Sequence, residues 1–489
     1  MTPSNGWCGI TRRGFLLGAA SGLAAGLPAA WFGRDLRQAL PLDTLSSPFL
    51  DSSPAAVSPE DGMPGPYPGR VVEVRHPRAV SPAYEIDPAV VERMIDRGMA
   101  LLTGTEPGDV RGAWGRFFEK GQVVGIKVNP VGRKPLPGES GSNPNSVGAI
   151  SSPAVLLKVV KCLRAVGLRP QDIIVFERYA NEFEDAGYLK LVERELPGVR
   201  WYASAYRYTD TQLDIAGFDN GRGVCSPEMA RHVAGYDPDV FTTMGFCAPE
   251  HSRRDDRRYR SHLSLIVSRM VDKVINIPVL KDHRSAGVTL ALKNLSHGTN
   301  NNVARSHLRL QPHGFSPTST LASGPNQCNT FIPQAVSQPL LRKKTTLHIL
   351  DGLIGAYEGG PKCSNRTWAT WRHNGLFFAT DPVALDHVGW DIIDAQRARE
   401  GWAPVERMGL VNHTPQAVVA GDLAPLAGHN LADALPLIVA AKNRHEGRNS
   451  ETLNLRQPEH IILAGVLGLG VFPRAKIEHR YMEMTEPAA

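Results

Sequence analysis

The sequence predicts an α/β protein with a large, mostly parallel sheet and flanking helices, as one body or as two lobes around a cleft. Three observations predict it. Short apolar runs ending in polar residues alternate with stretches of helical period. A strand–helix–strand succession between residues 122 and 177 calls for parallel strands joined by a right-handed crossover. Hydrophobic residues make up 42% of 489 residues, enough to bury a sizeable core.

The chain opens on an address. Thr11-Arg12-Arg13-Gly14-Phe15-Leu16 precedes a Gly/Ala-rich apolar run that reaches Phe32. An arginine pair followed by Phe-Leu and a weakly apolar run resembles a twin-arginine (Tat) export signal, assigned to residues 1–33. The run is too rich in Gly and Ala for a good membrane span. Pro28-Ala29-Ala30 offers a small residue but no Ala-x-Ala, so the signal is either cleaved or kept as an anchor. The expected partner is the Tat machinery and the expected location periplasmic or otherwise extracytoplasmic, with membrane contact only through an uncleaved signal. The resemblance implies export of an already folded chain, with any cofactor loaded beforehand. Residues 34–70 read as a Pro/Ser-rich linker and 71–482 as the α/β domain.

Within that domain Arg70–Arg75 (RVVEVR) reads as the first strand. Asp87-Pro88 opens a helix, with Asp as N-cap and Pro in the first turn, and Gly104 closes it. Gln122–Asn129 (QVVGIKVN) is a strand. Ser152-Pro153 caps a helix with apolar positions Val155, Leu156, Val159, Val160 and Leu163, ended by Gly167. Asp172–Glu177 (DIIVFE) is the next strand. The loop from Pro130 to Ser151 is long and rich in Gly, Asn and Ser, at the end of a strand where α/β proteins place ligands. Later strands are expected at Lys273–Val279, at Thr345–Leu350 before an Asp351-Gly352 turn, and at Leu376–Ala379. Asp381-Pro382 caps a helix running to about Arg399. Ile461–Phe472 is a buried core segment, too short at 12 residues to cross a membrane. Residues 201–260 give no clear assignment.

Net charge is +6, and without the first 33 residues 52 basic residues face 48 acidic, too mild a balance for nucleic acid. Arg253-Arg254-Asp255-Asp256-Arg257-Arg258-Tyr259-Arg260 reads as a self-paired surface run. Six cysteines (Cys8, Cys162, Cys225, Cys247, Cys328, Cys363) form no CxxC, so no iron–sulfur cluster or structural zinc is expected. Proximity alone pairs Cys225 with Cys247 and Cys328 with Cys363; buried free thiols are the alternative.

The chemistry concentrates between Lys273 and Arg309. An apolar strand delivers Lys281, Asp282 and His283; Lys293 and Asn294 follow, then His297 and His307. Cations, a carboxylate and imidazoles in one region can bind an anion, hold a metal (His283, His297 and His307) or move protons. Lys127 and Asn129 end one strand and Glu177 the next; each either faces the same cleft or serves structure at its rim. Asp351 and Glu358-Gly359-Gly360-Pro361 either approach a ligand or form a plain turn. Asp381 is an N-cap, and of Asp386 and His387 in the following helix one should face the cleft. No GxSxG, Walker A, HExxH or GxGxxG occurs.

"VGIKVN", "VINIPVLKDH…TLALKN", "LDGLIGAYEGGP" and "FFATDPVALDHVGWDII", in that order, resemble the domain-of-unknown-function family 362, over about residues 70–480. Some relatives resemble this chain with an added cysteine-clustered, ferredoxin-like segment, which it lacks. A more distant resemblance is to the catalytic half of nickel-pincer lactate racemase. It implies His283, Lys293 and His307 as cofactor and acid/base residues, with Ala291-Leu292 standing where that family has a Gly-Gly lead-in. The expected function is an enzyme acting on a small anionic substrate with a metal or preloaded cofactor. Lys281, His283 and Lys293 would act, and Lys127, Asn129, Glu177, Asn294, His307 and Asp351 would bind. The alternatives are a non-catalytic envelope protein holding an anion or metal, and a scaffold whose polar cluster is structural.

Overall fold

The computed structural model describes residues 62–139, 146–209, 212–219, 221–244, 254–283, 286–306, 310–311, 314–315, 327–365, 367–405 and 458–485. The twin-arginine segment, the linker as far as residue 61, Cys247, Arg253 and His307 lie outside them. Strands are β1 (Arg70–Arg75), β2 (Val124–Lys127), β3 (Ile173–Tyr179), β4 (Arg200–Ala205), β5 (Tyr236–Thr243), β6 (Arg260–Ser264), β7 (Lys273–Asn276), β8 (Val279–His283), β9 (Gly287–Val288), β10 (Thr345–Glu358), β11 (Ala369–Ala379) and β12 (Glu478–Glu483). The main helices are α1 (Pro88–Thr103), α2 (Pro153–Ala165), α3 (Ala180–Asp185), α4 (Tyr188–Glu195), α5 (Leu290–Thr299), α6 (Gln327–Val336), α7 (Pro339–Lys344), α8 (Pro382–Arg399) and α9 (Glu459–Val466).

Ten strands form one sheet in the order β12-β1-β11-β10-β7-β2-β3-β4, with β8 against β10 and β9 against β8. Only β9 and β11 run against the rest. The α/β expectation holds, with the sheet mixed at these two strands. Side chains alternate along each strand and so divide between two cores. Val72, Val124, Ile173, Val175, Ile275 and Phe378 pack under α1, α2 and α4. Val71, Ile174, Phe176, Val274, Leu280 and Phe377 pack under α5 to α9. Because the long strands are parallel, their C-terminal ends meet along one edge.

The caps read from sequence are in place. Asp87 accepts from Ala89 N and Val90 N, and Gly104 closes α1 at φ 73°. Ser152 caps α2. The 201–260 stretch contributes β4 and an antiparallel β5–β6 pair. Arg257 and Asp255 pair at 2.7 Å at the surface, as the self-paired reading expects.

Four expectations are corrected. The predicted Lys273–Val279 strand is two, because the chain steps sideways at Ile277-Pro278. β10 pairs first with β7 (His348 opposite Asn276) and then with β8 (Ala356 opposite Lys281). The Asp351-Gly352 turn does not exist: β10 runs straight through it. β11 begins seven residues before Leu376. Cys328 and Cys363 are separate thiols, one against Ser306 O at 3.2 Å and the other near Val147 O at 3.7 Å.

Asp381 does more than cap α8. Its buried carboxylate accepts from Val383 N and Ala384 N, and also from Gly69 N at 2.8 Å and Val471 N at 2.9 Å. It therefore ties the chain before β1 and the segment after α9 to one helix start. Asp381→Ala should cost more than the ~0.5–2 kcal/mol of an ordinary cap. Two further buried donors lose their partner at roughly 1–3 kcal/mol each. The midpoint of urea unfolding measures it.

Candidate functional site

The step at Ile277-Pro278 shapes the C-terminal edge of the sheet. Ile277 N still donates to Lys127 O at 2.8 Å, but β8 then follows β10 and leaves β2. The wedge so opened is filled by polar groups. Asn129 N donates to Ser151 Oγ at 2.7 Å, and Ser151 Oγ donates to Ile277 O at 2.6 Å. Lys281, wholly buried on β8, reaches into the wedge and donates to Asn129 Oδ1 at 3.1 Å and to Val131 O.

Lys127 ends β2, and its amine is sealed from water. It donates to Val128 O at 2.7 Å and forms an ion pair with Glu177 of β3. Gly298 of α5 makes room for it: a Cβ there would lie 2.3 Å from Lys127 Cε. Neither residue is a rim or surface charge. Burial pulls the Lys127 amine down, and Glu177 opposes that pull.

Helix α5 runs beside these strand ends. Thr289 N donates to Lys281 O, and Asp386 of α8 accepts from Ala291 N at 2.7 Å and Leu292 N at 2.9 Å. Asp386 thus fastens the first turn of α5, while His387 turns away to Phe472 O. Asn294 donates to Asn276 Oδ1 at 2.7 Å, and Asn276 in turn donates to Ala291 O. His297 meets Ser296 Oγ at 3.0 Å and Ser306 Oγ at 2.9 Å, with Cys328 Sγ 4.0 Å away. Lys293 is buried on the same helix.

Electrostatics separates the amines from the paired charges. Burial, followed by the charge of Lys293, takes the Lys281 amine down to about 7. Burial takes Lys293 to about 8. Burial also raises the Asp282 carboxyl, with nearby Glu358 adding to it and Arg397 opposing. Asp282 Oδ1 accepts from Gly360 N at 2.8 Å, while Oδ2 is buried without a hydrogen-bond partner. Glu358 pairs with Arg397 at 2.7 Å, both buried. Gly359-Gly360 lets the loop backbone approach Asp282: a Cβ on Gly360 would lie 2.1 Å from Asp282 O.

Above the wedge lies a cleft of ≈ 280 Å³. The loop after β2 (Val131, Gly132, Arg133, Glu139), Glu182 of α3 and the loop after β10 (Lys362, Cys363, Ser364) line it. Arg133 is bound on one side by Glu139 at 2.7 Å and Asp185 at 3.0 Å. Glu182 Oε2 is buried with no hydrogen-bond partner, and burial raises that carboxyl.

The expected residues fall into distinct places. Lys127, Asn129, Glu177 and Lys281 meet in or beside the wedge. His283 ends β8, buried. Lys293, Asn294 and His297 share α5. Asp351 sits within β10 and serves backbone: it accepts from Ser152 N at 2.7 Å and Leu353 N at 3.1 Å. Among the described residues no three His, Cys, Asp or Glu side chains are grouped to hold a metal ion, and the proposed set also requires His307, outside them. Asp282 as a buried acid, Glu182 and Lys362 were not among the sequence candidates. Glu182 carries a readable signal, three residues past a parallel strand.

Residues 261–391 match DUF362, a domain of unknown function. No curated protein matches the chain. The DUF362 segment runs from β6 into α8 and holds three of the four resembling motifs; "VGIKVN" lies before it. Lys281, Asp282, His283, Lys293, Asp351 and Lys362 belong to the DUF362 segment, whereas Lys127, Glu177 and Glu182 come from the chain preceding it.

Two predictions follow from the charges. Lys127→Met should cost about 3–5 kcal/mol by stranding Glu177, and Lys127→Met with Glu177→Leu should recover most of that loss in urea unfolding. Lys281 binds its proton less tightly folded (about 7) than at its ordinary value of 10.5. Its burial penalty is therefore complete below pH 7, shrinks as pH climbs towards 10.5 and vanishes above it. The advantage of Lys281→Met over wild type in urea unfolding should be larger at about pH 6 than at about pH 9.

Proposed function

We propose that this protein is an exported enzyme that acts on a small anionic substrate in the cleft over the C-terminal edge of its sheet. The observation that carries the reading is the placement of the buried amine of Lys281 beneath that cleft, held by an amide and a carbonyl. Structural lysines in sealed interiors are matched by acids, as Lys127 is by Glu177. An amine kept near neutrality in a wedge between strand ends suits proton transfer or anion binding at neutral pH. Lys281 and Lys293 would hold the anion and balance its charge, and His283 would move the proton. A volume of ≈ 280 Å³ suits a molecule of a few carbons. The twin-arginine sequence supports export. A metal or preloaded cofactor would fall to His283, Lys293 and the neighbouring histidines. The described residues form no metal cage, so no step is routed through one.

The test is exchange of carbon-bound α-protons in D2O, followed by NMR, over a panel of small hydroxy and oxo acids with protein matured through its own export route. Wild type should exchange at least one of them. His283→Ala should slow exchange by roughly 10²–10⁴-fold with unchanged circular dichroism. Binding without exchange in wild type would instead identify a non-catalytic envelope binding protein. Loss of fold in His283→Ala would identify a structural cluster.

A further inference from the structure

We propose that Lys281 is a nucleophile that forms an imine with a small 2-oxo acid bound in the cleft. The inference rests on the enzyme reading and names its substrate class. The amine lies one residue's thickness below the cleft floor. Val131 and Gly132 both line the cleft, Val131 O holds the amine, and a Cβ placed on Gly132 would lie 3.3 Å from Lys281 Nζ. That missing side chain leaves a route from cleft to amine. Gly132 has φ 110°, a conformation that side-chain-bearing residues rarely adopt, so the gap is built into the backbone.

The wall groups suit the rest of an oxo acid. Arg133 is already occupied by Glu139 and Asp185. Lys362 is the cation on the opposite wall, and its charge bears on Glu182. A substrate carboxylate on Lys362 places the adjacent carbonyl towards the floor. Glu182 Oε2, buried without a hydrogen-bond partner, faces the same group of residues and can carry the proton that imine formation moves. An amine next to a second cation and out of water is a recognised way to keep lysine nucleophilic, and Lys293 is that second cation.

The step balances without an external oxidant. The neutral amine attacks the carbonyl carbon, forming a C–N bond. Proton transfer through Glu182 turns the carbonyl oxygen into a leaving water, and the C=N bond replaces C=O. Borohydride then reduces the imine to a stable secondary amine.

The experiment uses full-length protein, pyruvate as probe and sodium borohydride, read by intact mass and peptide mapping. The expected result is one reduced pyruvate adduct, mapped to Lys281. It should be lost in both Lys281→Arg and Lys281→Met, with circular dichroism reporting that each variant is folded. An adduct on another lysine, or none, overturns the proposal. Thermal shift with lactate, which has the carboxylate but no carbonyl, separates the two readings. Stabilisation by lactate that Lys362→Ala abolishes, with no pyruvate adduct, overturns the imine and leaves the anion site standing. Neither stabilisation nor adduct overturns both.

Discussion

Pro278 has no N–H to give to a sheet, and the two residues around it decide how the C-terminal edge is built. β7 lies between β2 and β10 as far as Asn276, where the polar ladder is complete on both sides. Beyond it the backbone groups find new partners: Ile277 N takes Lys127 O, Ile277 O takes Ser151 Oγ, and Pro278 O takes Asp351 N at 2.8 Å. No buried backbone group near the step is left to water, so the chain can shift by one strand position at little cost. Had β7 continued straight, β8 would have stayed against β2 and closed the wedge that holds Lys281. The cleft, the amine below it and the docking of the 130–151 loop all depend on that shift.

The interior then sorts its charges by partner. Lys127 with Glu177 and Glu358 with Arg397 are matched cation to anion, which offsets their desolvation. Asp351, Asp381 and Asp386 are matched to backbone N–H groups at helix or strand junctions. Lys281 has neither kind of match, since its described acceptors are an amide oxygen and a peptide carbonyl. Such acceptors stabilise an ammonium less than a carboxylate does, and the balance shifts towards the neutral amine. A single rule, that buried charge needs opposite charge, therefore separates the groups that hold the fold from the one available for chemistry.

Much of this was legible in local sequence where the physics is local. Asp87-Pro88, Ser152-Pro153 and Asp381-Pro382 announce helix starts because a cap and its helix are neighbours in the chain. The alternation of β1 and β3 fixes their two faces. What escaped depends on distant partners. Gly352 and Gly355 suggested a turn, yet they sit inside β10 because aromatics of β11 fill their space. A Cβ on Gly355 would lie 2.3 Å from Trp371, and one on Gly352 would lie 2.9 Å from Phe377. Glu177 looked like a surface charge because its cation is fifty positions away. The Ile277-Pro278 step was visible as a proline within an apolar run, but its consequence required knowing which strands lie on either side. Lys281 and Lys293 were readable as candidates, whereas their mutual influence arises only from how β8 and α5 are packed.

The residue between Lys281 and His283 ties the two sides of the cleft together. On a strand, neighbours point to opposite faces, so Asp282 turns away from the direction shared by Lys281 and His283. Its carboxylate takes Gly360 N, and the glycine pair allows that approach. Glu358, two residues earlier, is held by Arg397 of α8, whose guanidinium also donates to Tyr357 O at 2.6 Å and Ala403 O at 2.6 Å. The loop that carries Lys362 and Cys363 into the cleft is therefore anchored at its root by the strand that carries the amine. A ligand that moved this loop would act on Asp282 and, through the same strand, on Lys281. Floor and wall of the cleft are in this sense one mechanical unit, which is the arrangement a site needs if cation and nucleophile are to keep a fixed separation.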